Sequence, residues 1–156
     1  MQKLWLVFVL GAVLSWGAYG PALHKGRAGF ADPKTASLRA LLCVGVAYFL
    51  VAVLVPLIAL WRRGDLDGFS GGGTLFSTFA GILGALGAVC IIWSFQNGGK
   101  PLIVMPLVFA GAPVVNGLIT TGTHATEWRN LHPLLLVGFG CAALGAWLVL
   151  RYMPAG

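Results

Sequence analysis

Five long apolar stretches, separated by short polar segments, follow one another along the chain. Each approaches the roughly 20 apolar residues that a helix needs to cross the hydrocarbon core of a bilayer. The pattern predicts an all-α integral membrane protein with five transmembrane helices in one packed domain spanning residues 1–156. We expect the helices at about residues 4–19, 38–60, 74–95, 102–121 and 132–152.

Proline, glycine and interfacial residues suggest where these helices end. Pro21 follows the first stretch, and proline in a helix interior removes a hydrogen bond, so we expect it to stop that helix. Trp61, Arg62 and Arg63 follow the second stretch as interfacial anchors. Three glycines at 71–73 lead into the third stretch as a flexible approach.

Composition supports a lipid environment and one packed unit. The 156 residues are 58% hydrophobic and 9% charged, whereas soluble domains carry roughly 25% charged residues. The net charge of +6 comes from basic residues at the ends of apolar stretches. Such a distribution indicates membrane topology and lipid headgroups as partners, and it argues against nucleic acid.

Basic residues near the helix ends predict a weak orientation. Four would lie on the side of the amino terminus and six on the opposite side. Because cytoplasmic loops carry the excess of Lys and Arg, we expect the amino terminus outside and the carboxyl terminus in the cytoplasm. We take the membrane to be a bacterial inner (plasma) membrane. A difference of two basic residues is small enough that molecules in both orientations could be made.

None of the apolar stretches contains Asp or Glu. An intramembrane carboxylate is the usual carrier for proton coupling or for a cation, so its absence argues against a proton-driven exporter of cationic drugs. The histidines and cysteines have no metal-ligand spacing, and no motif of hydrolytic or phosphate chemistry occurs. We therefore expect no metal, no cofactor and no enzymatic activity.

Asn116 is a buried polar candidate in the fourth stretch, three residues after Pro113. Proline frees a backbone carbonyl one turn earlier, and a nearby amide can satisfy that carbonyl or bind a substrate. An interhelical hydrogen bond is the commoner role. Pro113 itself would allow the helix to bend.

Aromatic residues and one arginine complete the candidate substrate site. Trp16, Tyr19, Tyr48 and Trp93 could line an apolar pocket, although core packing or interfacial anchoring is the commoner role of such residues. Arg39 opens the second helix. It is either a snorkelling interfacial arginine or a gate and anion contact at the mouth of the cavity.

The order of local motifs resembles a single repeat of the drug/metabolite transporter superfamily, of EamA type. The motifs are Leu14-Ser15-Trp16-Gly17 ending helix 1, Leu38-Arg39-Ala40 opening helix 2, the glycine-rich residues 80–87 of helix 3 followed by Trp93-Ser94-Phe95-Gln96, Ala112-Pro113-Val114 in helix 4, and the Gly- and Ala-containing residues 138–150 of helix 5.

This resemblance implies a half-transporter that pairs with a second copy. Most members of the superfamily have two such repeats of opposite orientation, and small relatives with one repeat work as dimers. A small metabolite or drug-like compound would then move by alternating access, with helices 1 to 4 around its site. The alternative is a non-transporting accessory subunit that associates with other membrane subunits through its glycine-rich face.

Overall fold

The computed structural model describes residues 3–123 and 133–152. The described residues form helices α1 (Leu4–Ala28), α2 (Pro33–Tyr48), a π-helical segment (Phe49–Leu54), α3 (Val55–Arg63), α4 (Gly71–Gln96), α5 (Pro101–Thr123) and α6 (Pro133–Arg151), with no strand among them. One continuous span, Pro33–Arg63, contains α2, the π-helical segment and α3.

Counting Pro33–Arg63 as one span, the described residues contain five helical spans that are long and apolar enough to cross a membrane. The predicted all-α fold class with five transmembrane helices is confirmed at this level, and the helices fit a membrane-embedded protein. α1 has 25 residues, which corresponds to about 37 Å at 1.5 Å per residue and exceeds the roughly 30 Å hydrocarbon core.

The chain divides into two compact units. Met1–Gly98 contains α1 to α4, and Gly99–Gly156 contains α5 and α6. A single packed domain over residues 1–156 stays a prediction. The proposed start of the fifth helix at His132 lies outside the described residues.

The first helix does not stop where the sequence predicted, and this expectation was wrong. α1 continues through Pro21 to Ala28. Proline costs one backbone hydrogen bond, but membrane helices tolerate it because neighbouring groups satisfy the freed carbonyl. Leu23, beyond the proline, is buried, and Lys25 and Arg27 lie in the last turn, where cations favour a helix.

Capping residues set the starts of α2 and α4. Asp32 accepts hydrogen bonds from the backbone N–H of Lys34 (3.0 Å) and from the Thr35 hydroxyl (2.8 Å). Pro33 takes the first helical position, where its missing N–H costs nothing. Ser70 caps α4 by accepting from the N–H of Gly73 at 3.2 Å. Both helices therefore begin a few residues before the apolar stretches do.

A glycine ends α3. Gly64 has φ +66°, in the left-handed region that favours glycine. Its N–H donates to the Trp61 carbonyl, and the N–H of Asp65 donates to the Leu60 carbonyl. These two bonds form a Schellman motif, which satisfies carbonyls that the helix end would leave without partners.

The first unit is packed most tightly where the end of α1, the start of α2 and the end of α4 meet. We call this region the closed end. Its buried apolar residues are Leu23, Ala36, Ala40, Ala88, Ile91, Ile92 and Phe95. Small residues on α2 allow the three helices to approach closely, which is the usual basis of helix packing in lipid.

In the second unit, α5 and α6 approach closely at one glycine. A Cβ atom built on Gly117 would lie 2.6 Å from the ring of Phe139. A larger residue at this position would displace the Phe139 ring. Pro106 and Pro113 both lie inside α5, where the helix continues past them.

Candidate functional site

An open apolar groove runs between α1 and α2 in the first unit. Its volume is about 770 Å³, in the range of small-molecule sites. The lining residues are Ser15, Tyr19, Ala22, Leu23, Gly26, Phe30, Ala40, Cys43, Val44, Ala47, Tyr48, Val51 and Ala52. We call it the α1–α2 groove.

The lining residues lie on one face of each helix because of their spacing. On the α2 span they recur three or four residues apart, from Ala40 through Ala47 to Val51. That spacing keeps side chains on one side of a helix. Many are small, among them Ala22 and Gly26 on α1, so the facing surfaces leave volume between the helices instead of filling it.

Tyr19 places a polar atom beside this apolar lining. Its hydroxyl is buried, and it has no hydrogen-bond partner among the described residues. A buried hydroxyl without a hydrogen-bond partner destabilises the folded state by about 1–3 kcal/mol relative to one that has a partner. The ring of Trp16 lies 6.0 Å from the Tyr19 ring, centroid to centroid, and tilted by 47°. The hydroxyl is therefore a polar group that a molecule in the groove would reach once the side chains covering it shift.

The wall of the groove contains an irregular stretch of backbone. Val51 and Ala52 belong to the π-helical segment Phe49–Leu54. Pro56 follows it in the second position of α3, where a regular α-helix would suffer a clash with the carbonyl of Ala52. A π-helical turn relieves that clash by widening the helix, and such turns are frequent at functional sites.

A charged clamp holds the closed end of the groove. The Nε of Arg27 donates to the Ser37 hydroxyl at 2.9 Å, and its Nη1 donates to the Phe95 carbonyl at 3.2 Å. One side chain thus joins α1, α2 and α4. The ring of His24 lies edge-on to the Phe95 ring at 5.3 Å, and its Nδ1 is buried without a partner among the described residues.

Comparison with protein-family models, curated proteins and solved structures finds no match. The resemblance to an EamA-type repeat therefore stays a prediction, and the site must be interpreted from its own geometry.

The structure brings together three of the residues predicted for a substrate site. Tyr19 and Tyr48 both line the α1–α2 groove, and Trp16 lies against Tyr19. Arg39 and Trp93 are exposed, and neither lines the groove. The position of Arg39 is the second turn of α2, not its opening, because the helix begins at Pro33.

Pro113 and Asn116 belong to the second unit. Both are exposed on α5. Within that unit the Asn116 amide makes no hydrogen bond to a described residue. Their role in a substrate site stays a prediction.

Sequence reasoning missed the clamp of Arg27 and the half-buried imidazole of His24, whose Nδ1 is buried. Both were assigned to a loop because Pro21 was taken as the end of the helix. Their spacing carried a signal, since residues three apart share one face of a helix. Continuing α1 through the proline would have placed the two side chains together at its end.

Proposed function

We propose that the protein is a membrane transporter of the drug/metabolite type. It moves a small metabolite or drug-like compound across a bacterial inner membrane by alternating access, and it works as a dimer. The compound binds in the α1–α2 groove. The dimer supplies the second half of a pathway that one five-helix repeat cannot enclose alone, because substrate sites of such transporters form between two repeats.

The observation that carries this proposal is the buried Tyr19 hydroxyl beside an apolar groove of about 770 Å³. Ligand sites combine an apolar lining with a few polar groups that fix the orientation of the ligand. Tyr19 is such a group, with Tyr48 further along the same groove. A site serving only to pack helices gains nothing from a hydroxyl without a partner.

The surrounding backbone supports movement on one side of the groove. The Arg27 clamp ties the helices at the closed end, whereas the π-helical segment and Pro56 interrupt the regular hydrogen bonding of the opposite part. Prolines and π-helical turns are sites where helices bend. The groove would open and close by bending at this segment while the closed end stays packed.

The groove also narrows the class of substrate. None of its lining residues is acidic or basic, so a cationic compound would find no counter-charge. We therefore propose a neutral or weakly polar compound with an apolar body and at least one hydrogen-bonding group for Tyr19.

The alternative is a non-transporting accessory subunit of a larger membrane complex. The absence of Asp and Glu from all five apolar stretches favours it, because the chain then has no intramembrane carboxylate for coupling. Native mass in a mild detergent separates the two functions. A homodimer supports the transporter, and copurification with other membrane subunits in fixed ratio supports the accessory subunit.

Cys43 allows a test of alternating access that needs no known substrate. It is a free, exposed thiol that lines the groove. The test uses a variant with Cys90→Ala and Cys141→Ala, reconstituted in sealed vesicles and treated from outside with a small membrane-impermeant thiosulfonate. A protease-sensitive terminal tag gives the fraction of molecules in each orientation.

Alternating access predicts that Cys43 is labelled completely from outside, whatever the orientation of each molecule, because the groove opens to both sides in turn. Labelling that stops at the fraction of one orientation means access from one side only and contradicts the proposal. A variant with Cys90 as its only cysteine is the matched control. Cys90 is also an exposed thiol, but it lies on α4 outside the groove, where a membrane-spanning helix would face lipid and not water, so we expect no labelling there.

A further inference from the structure

A second apolar groove lies on another face of the α2 span. It has a volume of about 490 Å³ and is lined by Leu38, Leu41, Leu42, Gly45, Val46 and Phe49. We call it the outer groove. It shares no lining residue with the α1–α2 groove, so the inference drawn from it does not rest on the transport function proposed above.

The length of the outer groove matches one leaflet of a bilayer. From Leu38 to Phe49 the helix rises about 16 Å at 1.5 Å per residue. Half of a hydrocarbon core is about 15 Å. Gly45 forms a notch in its middle, since a Cβ atom built there would meet no other atom within 4 Å. The groove therefore has room for an extended acyl chain between the interface and the bilayer centre.

Two cations lie at the interfacial end of this groove. Lys34 precedes Leu38 by one helical turn, and Arg39 precedes Leu42 by three residues, so each shares a face with lining residues. Both side chains are exposed. Neither makes an ion pair or a hydrogen bond through its side chain with a residue in the described ranges.

The local charge favours an anionic partner. The segment from Lys25 to Arg39 carries four basic residues and one acidic residue, a formal charge of +3. Both carboxylate oxygens of Asp32, the single acid, already accept hydrogen bonds at the start of α2. Clusters of Lys and Arg next to a membrane span attract anionic lipid headgroups.

We infer that the outer groove binds one anionic phospholipid of the surrounding bilayer. Its phosphate lies between Lys34 and Arg39, and one acyl chain lies along the groove from Leu38 to Phe49. This site differs from ordinary lipid contact because it selects the headgroup by charge and holds the chain in the notch at Gly45.

Native mass spectrometry of the full-length protein tests this inference with phosphatidylglycerol and phosphatidylcholine of identical acyl chains. We expect about 30-fold tighter binding of phosphatidylglycerol, because each of the two cations contributes about 1 kcal/mol towards an anionic headgroup. The Lys34→Gln/Arg39→Gln variant should lose this preference. The matched control, Arg62→Gln/Arg63→Gln, removes the same charge at the other end of the same span and should keep it.

Gly45→Leu tests the acyl-chain half of the site. The new side chain enters open space and fills the notch, so the protein folds while both lipids bind several-fold more weakly. Gly140→Leu, also in open space but on α6, is the control and should change neither affinity. Thermal unfolding of every variant without added lipid checks that each one is folded.

Three results would overturn the inference. One is an unchanged preference for phosphatidylglycerol in the Lys34→Gln/Arg39→Gln variant. Another is an equal loss in the two charge variants, which would mean general attraction to net charge. The third is normal lipid binding by Gly45→Leu.

Discussion

In the α1–α2 helix pair, the closed end and the α1–α2 groove differ in how the helices are held together. At the closed end, buried apolar side chains and the Arg27 clamp bring three helices together. Along the groove, towards Ser15 and Ala52, small side chains leave about 770 Å³ between the helices. The same two helices are thus tied at one end and separated further along.

This difference follows from the forces available in lipid. Apolar side chains gain little by leaving lipid tails for a helix interface, so packing contacts and hydrogen bonds hold membrane helices together. The closed end has both, because Ile92 is fully buried and Arg27 joins the helices. Beyond Leu23 and Ala40, which it shares with the closed end, the groove has neither, so it is the part of the pair that is free to bind a molecule or to move.

The largest effect is expected from removing packing at the closed end. Ile92 is fully buried, so Ile92→Ala leaves a cavity in the closed end. Such changes cost about 2–5 kcal/mol in soluble proteins, and we expect about 1–3 kcal/mol here, since in lipid mainly the cavity and its lost contacts count. Reversible unfolding in mixed micelles measures the change in free energy.

Ile82→Ala is the matched control for this prediction. It is the same substitution on the same helix, at a residue that is 52% exposed, and it should cost under about 0.5 kcal/mol. Equal losses at the two positions would show that the closed end is not the better packed region.

A smaller effect is expected from removing the clamp. Arg27→Gln loses charge-assisted hydrogen bonds and leaves the buried Ser37 hydroxyl without its donor, for about 1–2 kcal/mol. Lys25→Gln, with the same charge change at an exposed neighbour, should leave stability nearly unchanged. In a double-mutant cycle, Arg27→Gln and Ser37→Ala should be non-additive because they break the same bond. Additive losses would mean that the clamp does not stabilise the closed end.

The general architecture could be predicted from the sequence, because hydrophobic length is a strong signal in membrane proteins. Helix ends were less predictable. Asp32-Pro33 is a capping signal that places the start of α2 five residues before the expected Leu38. Pro21 was misread because a rule for helices in water was applied to a helix in lipid.

Less of the candidate site was predictable. Tyr19 and Tyr48, which line the groove, were among the predicted residues because aromatic side chains suit the lining of an apolar pocket. The rest of the lining is small and aliphatic, and nothing distinguishes Ala40 or Ala47 from residues that only pack helices. A groove made by missing side-chain volume depends on how two helices lie against each other, which local sequence does not encode.

The smallest expected effect concerns the connection between α1 and α2 and appears as a dependence on pH. Hydrogen bonds from the Thr35 hydroxyl and then from the Lys34 N–H, with Arg39 nearby, lower the pKa of Asp32. A carboxylate with a lowered pKa stabilises the folded state above its unfolded value of about 3.9, and the stabilisation is lost as the pH falls through the folded pKa. The Tm of the protein should therefore fall as the pH is lowered below about 4. Asp32→Asn should remove a small part of that fall, because an amide caps the helix but does not titrate there. Asp67→Asn, in the exposed loop before α4, is the control; an equal change in its pH profile would contradict the role of the Asp32 cap.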